Sequence, residues 1–361
     1  MEFVGIKDQY KILSNSINKR IQKVMDHGQF IMGPEVFELE ESLKRYTNSD
    51  FCISTSSGTD ALLMALMAIG IKSGDEIITT PFTWASNAEM IMLLGAKPVY
   101  VDINLNTYNL DAGLISKAIT NKTKAIMPVS LFGQCCDMDE INLIAKKNNL
   151  IVIEDAAQSF GAEYKNKKSC NLSDIGCTSF FPTKPLGGYG DSGACFTNDE
   201  ELAEKMKKIR SHGQSEKNIH QMLGINGRMD TIQAAIIIEK LSVFENEIKL
   251  RNSIADNYNK LLDISNLGSI KKPFIEKECK SVYAQYSILS ENRDLVKKKL
   301  SRFSIPSVVF YPHPLYNQKA YEDKSFSLKI TEKVCKEILS LPMNPYMTKE
   351  EQEKVVQSLT L

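Results

Sequence analysis

The chain has 361 residues, 43% of them hydrophobic and 24% charged, enough for a sizeable core and about two domains. Its 44 Lys and Arg balance 44 Asp and Glu, so no charge excess draws it toward nucleic acid or an acidic membrane surface. No run of about 18 apolar residues is present to span a bilayer, and the start, MEFVGIKDQY, lacks the basic-then-apolar pattern of a secretory signal. Eight cysteines are scattered without a CxxC pair. They read as reduced thiols, so a cytoplasmic protein without structural disulfides or a metal site is expected.

From about 51 to 200, short apolar runs alternate with helical patterns. FCIS (51–54) leads to a helix near Thr59, EIITT (76–80) to one near 84–94, KPVYVDI (97–103) to one near 111–119, and KAIMPVS (124–130) to one near 138–147, with LIVIED (150–155) following. This alternation predicts βαβ units and a mainly parallel sheet covered on both faces. TSFF and ACFT read as further strands, and a long helical pattern runs from about Asp230 to Leu262. SVYAQYSIL, a charged helix near 292–303, IPSVVFYP and a last helix near 330–339 then predict a smaller α+β domain. We place the boundary on the long helix: 1–245 as the large domain, with an N-terminal helical segment, and 246–361 as the small one. Lys297-Lys298-Lys299 reads as a solvated helix face.

Three features of the large domain carry chemistry. In STSSGTDALLMAL (54–66) a Ser/Gly turn opens a helix at Thr59. Free N–H groups and the positive dipole end suit a phosphate there, although the same residues are also ordinary helix caps. In IVIEDAAQS (151–159), Asp155 ends an apolar strand, the place where open α/β sheets bind ligands. A carboxylate there can pair with a protonated ring nitrogen, or simply cap a helix or join a core ion pair. In SFFPTKPLGGYGDSGA (179–194), Lys184 is the one charged side chain between Ile175 and Gly190. A desolvated amine loses basicity and becomes a nucleophile, whereas a solvated loop lysine does not. A phosphate-binding helix start, a strand-end aspartate and a lysine in a tight loop together fit pyridoxal 5'-phosphate. Gly188, Gly190 and Gly193 spell GxGxxG, but a strand rather than a helix follows, so no dinucleotide site is read there.

GTDAL, EDAAQSFGA, SFFPTKPLGGYGDSGA and NGRMDTIQAAI resemble the DegT/StrS family of pyridoxal-phosphate sugar-nucleotide aminotransferases, with likeness from FIMGPEV to SLPMNPY. The loop is similar to that of the branch acting on UDP-2-acetamido-2-deoxy-3-oxo-glucuronate. The resemblance implies an aspartate-aminotransferase-like α/β fold, pyridoxal-phosphate fold type I, in a homodimer with active sites at the subunit interface. It implies that Gly58, Thr59 and Ser179 hold the cofactor phosphate, that Asn226 reaches it from the partner subunit, and that Trp84 stacks on the pyridine. Core packing is the alternative fate of a lone tryptophan. Gln158 would contact the ring hydroxyl, a surface amide at a helix start being its alternative; Asp155 would meet the ring nitrogen, and Lys184 would bear the cofactor. Phe180 and Phe181 would form an apolar wall. Arg228, Tyr311 and His313 are the candidate substrate contacts, Arg228 through a fork that suits carboxylate or diphosphate, with an interface ion pair as its alternative. Where the family usually has histidine before that tyrosine, this chain has Phe310. His27, His212 and His220 read as structural or surface residues.

The expected reaction moves an amino group from glutamate to a keto-sugar nucleotide, at C3 of the uronate, for surface polysaccharide synthesis. The rivals are a UDP- or dTDP-linked 4-keto-6-deoxy sugar as acceptor, a sugar dehydratase of the same family, against which the intact Lys184 speaks, and a non-catalytic regulator.

Overall fold

Residues 1–360 are described by a computed structural model. The parallel strands arise where apolar runs are buried on both faces. They are β1 (Phe51–Thr55), β2 (Glu76–Thr79), β3 (Lys97–Tyr100), β4 (Thr123–Ile126), β5 (Ile151–Asp155) and β6 (Ile175–Ser179), joined by β7 (Gly193–Thr197) in a seven-stranded sheet. The spatial order is β1-β7-β6-β5-β4-β2-β3, and only β7 runs against its neighbours. This is the mainly parallel α/β sheet expected.

Successive residues of a strand serve opposite faces. Ile77, Ala125, Ile153 and Cys177 join one core with α3 (Gly58–Ala68) and α7 (Glu200–Arg210), while Ile78, Ile126 and Val152 join another with α5 (Ala112–Ala118) and α6 (Met138–Lys147). The helices begin at side-chain caps: Ser57 for α3, Asp111 for α5, Asp137 for α6 and Asp199 for α7 each accept an N–H of the first turn. α4 (Ser86–Leu93) follows β2, and two helices, α1 (Ile6–His27) and α2 (Pro34–Thr47), precede the sheet.

α8 (Thr231–Ile264) has 34 residues, about 50 Å of helix, and position 245 falls within it. Its later turns carry Tyr258 and Leu262 into a second core, with a three-stranded antiparallel sheet of β8 (Ile270–Lys271), β9 (Tyr286–Ser290) and β10 (Ile338–Leu341). α9 (Arg293–Arg302), α10 (Lys329–Glu337) and α11 (Lys349–Thr360) complete this part; Leu361, the last residue of the expected small domain, lies outside the described residues.

Three local expectations differ from the structure. The helix near 330–339 is not the last, since α11 follows it and buries Val355, Val356 and Leu359. IPSVVFYP is irregular and pairs with the small sheet through a bridge from Val308 to Ser340 rather than as a strand, because Pro306 and Pro312 restrict the backbone and offer no N–H to a ladder. The helix near 330–339 stops at Glu337, and ILSL becomes β10. The eight cysteines are all buried and free. Among the described residues no helix is long and apolar enough to cross a membrane.

Candidate active site

The site lies at the carboxyl ends of the central strands, where connections leave the sheet. At the end of β1 the chain turns through Ser56 and Ser57 into α3, whose first N–H groups have no intrahelical acceptor. Ser57 Oγ accepts the Asp60 N–H at 3.0 Å. A Cβ built on Gly58 would fall 2.6 Å from Ser179 Cβ and 3.1 Å from Ser179 Oγ. Only glycine lets the helix start sit against the last residue of β6. Ser179 Oγ accepts the Phe181 N–H at 3.2 Å, which leaves its hydroxyl proton free to donate. Thr59 Oγ1 and Ser86 Oγ are 2.8 Å apart. Gly58, Thr59 and Ser179 thus form one cradle, with Ser86 added.

Asp155, the last residue of β5, is 6% exposed. Its Oδ1 accepts the Ala157 N–H at 3.0 Å. Burial pushes its proton affinity up, and that N–H, the charge of Lys184 and the Asn87 amide push it down. Lys184 is half-buried in a turn closed by its own N–H to Phe181 O at 2.8 Å. Burial lowers its pKa below the usual 10.5, opposed by Asp155. Amine and carboxylate therefore feel each other across the site.

Gln158 is buried rather than a surface amide. Its Oε1 accepts the Phe132 N–H at 3.0 Å, and its Nε2 donates to the Tyr311 hydroxyl at 3.1 Å. Tyr311, from beyond β9, is thereby joined to the large sheet, and burial raises its pKa. Its ring centroid lies 6.4 Å from that of Trp84, inclined at 46°. Trp84 is 63% exposed, so core packing does not account for it. Phe180 and Phe181 do not form one wall. Phe180 is buried against Phe160, while Phe181 is exposed, because successive residues leave β6 on opposite sides.

Asn226 and His313 are exposed. Neither is drawn onto Lys184 by a hydrogen bond among the described residues. The Asn226 segment is tied to its own chain's turn, since Gly227 O accepts the Ser56 N–H at 2.9 Å. Arg228 is half-buried, and its Nε is buried without a partner among the described residues. Of the other histidines, His27 meets Glu35 at 3.2 Å, and His220 Nδ1 lies 2.8 Å from His212 O. A cavity of 520 Å³ opens elsewhere, lined by Asn104, Asp111, Cys136, Asp137, Glu140 and Lys165 among others; it contains none of the anticipated site residues. Among the described residues no group of three His, Cys, Asp or Glu is placed to hold a metal.

The residue that sequence reasoning missed is Asn87. It is fully buried; its amide lies near enough to Asp155 to lower that carboxyl's proton affinity, yet neither amide atom reaches hydrogen-bond geometry with a described residue. A buried amide left unpaired costs several kcal/mol at most and about 1–3 in measured proteins. Its position, one residue beyond Ser86 and three beyond Trp84 in PFTWASNAE, was the available signal. Orphaned amide atoms beside Asp155, an open helix start and a low-pKa lysine fit a phosphorylated pyridine carbonyl compound.

Residues 11–360 match the model of the DegT/DnrJ/EryC1/StrS aminotransferase family. UDP-2-acetamido-2-deoxy-3-oxo-D-glucuronate aminotransferase of Pseudomonas aeruginosa is 51% identical over 347 residues, 96% of either chain. The crystal structure of S. venezuelae DesV superposes with a TM-score of 0.96 at 32% identity, covering 99% of this chain and 97% of that one. NtdA of Bacillus subtilis, with bound cofactor PMP, superposes at a TM-score of 0.89 and 34% identity, covering 96% of this chain and 81% of that one.

Proposed function

Because the chain belongs to the DegT/DnrJ/EryC1/StrS aminotransferase family, we propose that it transfers an amino group from glutamate to C3 of UDP-2-acetamido-2-deoxy-3-oxo-glucuronate, with pyridoxal 5'-phosphate as cofactor. The observation that carries the chemistry is geometric: Asp155 ends a central strand, buried, and Lys184 sits in the tight turn beyond β6, near enough for each charge to act on the other. The substrate rests on the relative that is 51% identical.

When bound, the cofactor supplies an electron-accepting ring and a carbonyl carbon that carries the amino group between donor and acceptor. Gly58 and Thr59 offer N–H groups of the α3 start to its phosphate, and Ser179 offers a hydroxyl. Asp155 would hold a proton on the ring nitrogen, Gln158 would meet the ring hydroxyl, and Trp84 would lie against the ring. Lys184 would hold the cofactor covalently, and its amine, when free and neutral, would be the base that takes the proton from the donor's α-carbon and returns one to the sugar carbon.

The active unit is a homodimer with shared sites, in the cytoplasm. Its support here is the exposed apolar surface on segments of the site or beside it: Trp84, Phe181 and Leu223, the last 86% exposed. Asn226 faces the partner's phosphate in this reading. Arg228 meets the uronate carboxylate, which accords with its unpartnered Nε. Tyr311 and His313 border the sugar. The amino sugar serves surface polysaccharide synthesis.

The test is a panel of UDP- and dTDP-linked keto-sugars offered with glutamate, with products identified by mass spectrometry. Amination of the UDP-3-oxo-uronate is expected. Preference for a 4-keto-6-deoxy sugar would replace the substrate while leaving the reaction class.

A further inference from the structure

α8 carries a polar stripe through a core. Gln233, Lys240 and Glu247 recur every seven residues, about two turns, and so share one face. Lys240 is 1% exposed and Glu247 is 3% exposed. The first two grip the loop that contains Lys184. Gln233 Oε1 accepts the Tyr189 N–H at 2.8 Å, and the Gln233 amide occupies the space where a Cβ on Gly188 or on Gly190 would fall, 2.9 Å away in each case. Lys240 Nζ donates to Gly187 O at 2.5 Å and stands 4.1 Å from the centroid of the Tyr189 ring.

The loop is folded on itself at the same place. Gly188 N–H donates to Phe180 O at 2.7 Å, and a Cβ on Gly187 would lie 2.6 Å from Phe181 O. A fully buried ammonium is expensive, and an apolar side chain of similar volume would satisfy a core better. Burial lowers the Lys240 pKa to about 8, with Glu247 opposing. Glu247 is itself engaged by Gln9 at 2.8 Å and by the Tyr346 hydroxyl. Packing alone therefore gives no reason for a lysine at this position, whereas the Gly187 carbonyl does.

We propose that Lys240 is a positioning residue for Lys184: its ammonium pins the Gly187–Tyr189 backbone to α8 and so keeps the Lys184 amine beside Asp155. The proposal rests on Lys184 being the cofactor-bearing residue. Lys240 does not touch the reacting atoms.

The experiment uses the full-length apo-protein and compares wild type, Lys240→Met and Lys240→Gln. Hydrogen exchange of the backbone N–H groups of Lys184 and residues 186–190 is read beside that of β5. In parallel, the pH at which an amine-reactive reagent half-labels Lys184 is located by peptide mapping. For Lys240→Met, loop exchange should quicken roughly tenfold, since a charge-assisted hydrogen bond is lost, while β5 stays protected. The Lys184 labelling midpoint should rise toward the ordinary lysine value as the amine gains water. Lys240→Gln, which retains a donor, should recover part of both. Unchanged loop exchange and an unchanged midpoint in a folded Lys240→Met protein would overturn the proposal. Should that variant not fold, Lys240→Ala, which removes the same ammonium and leaves room for water, is read by the same pair of measurements, and unchanged values in it would overturn the proposal equally. Attachment of the cofactor to another lysine would end the reading of Lys184, yet loop exchange would still judge the pinning by Lys240.

Discussion

Gly58 and Ser179 come from different strand ends and meet so closely that a methyl on the glycine would lie 2.6 Å from the serine Cβ. The obstructing atoms belong to a short side chain at a strand end, which has little room to yield. Gly58→Ala should therefore push the α3 start away from Ser179, at a cost of about 1–3 kcal/mol in overpacking. Cofactor phosphate affinity should fall about tenfold. Fluorescence titration of the apo-protein with pyridoxal phosphate checks this, and circular dichroism confirms that the fold is kept.

Asp155 and Lys184 shift each other in known directions. Asp155 opposes the burial that lowers the Lys184 pKa, so Asp155→Asn should move the labelling midpoint of Lys184 in the apo-protein to still lower pH. Conversely, Lys184→Met removes a charge that lowers the proton affinity of Asp155, which should then rise. Carbon-13 titration of the carboxyl group reads the second shift. In the loaded enzyme, Asp155→Asn should lose far more turnover than cofactor affinity, because the carboxylate matters most as charge develops on the ring.

Much of this site was legible in the sequence because each part sits where a local pattern ends. Asp155 closes an apolar strand, Thr59 opens a helix, and Lys184 stands alone among apolar and glycine residues. What was not legible depends on contacts between distant segments. Asn87 is one unremarkable amide in a helix start until burial beside Asp155 leaves it without a partner. The Gln158–Tyr311 hydrogen bond spans 153 positions, and no periodicity encodes it. Phe180 and Phe181 are identical in sequence terms, and only the side of β6 on which each emerges separates them. The irregular course of IPSVVFYP was signalled by its prolines, whereas α11 has a weak apolar pattern that only packing against α8 and α9 completes.

Asn226 should act across a subunit boundary. Lys184→Ala and Asn226→Ala chains, each inactive alone, should regain part of the activity when mixed and allowed to exchange subunits. The backbone contact between Gly227 and Ser56 within one chain defines the alternative. No recovery after verified exchange would assign Asn226 to the phosphate of its own chain.

Arg228→Lys should spare the first half-reaction with glutamate and impair the second with the uronate. Lysine keeps the charge but not the two-pronged fork. A charge-assisted hydrogen bond is worth about 1.5–3 kcal/mol, so the loss should be roughly tenfold to a hundredfold. A 6-deoxy keto-sugar, lacking the carboxylate, should be nearly indifferent. Single-turnover absorbance changes for each half-reaction separate these outcomes.

The most direct measurement of the central claim is where the cofactor is attached. Holo-protein reduced with borohydride and digested should yield one cofactor-bearing peptide, the one that contains Lys184, and Lys184→Ala protein should bind pyridoxamine phosphate without turning over. A reduced cofactor found on any other lysine, or a Lys184→Ala enzyme that still transfers the amino group, would contradict the account.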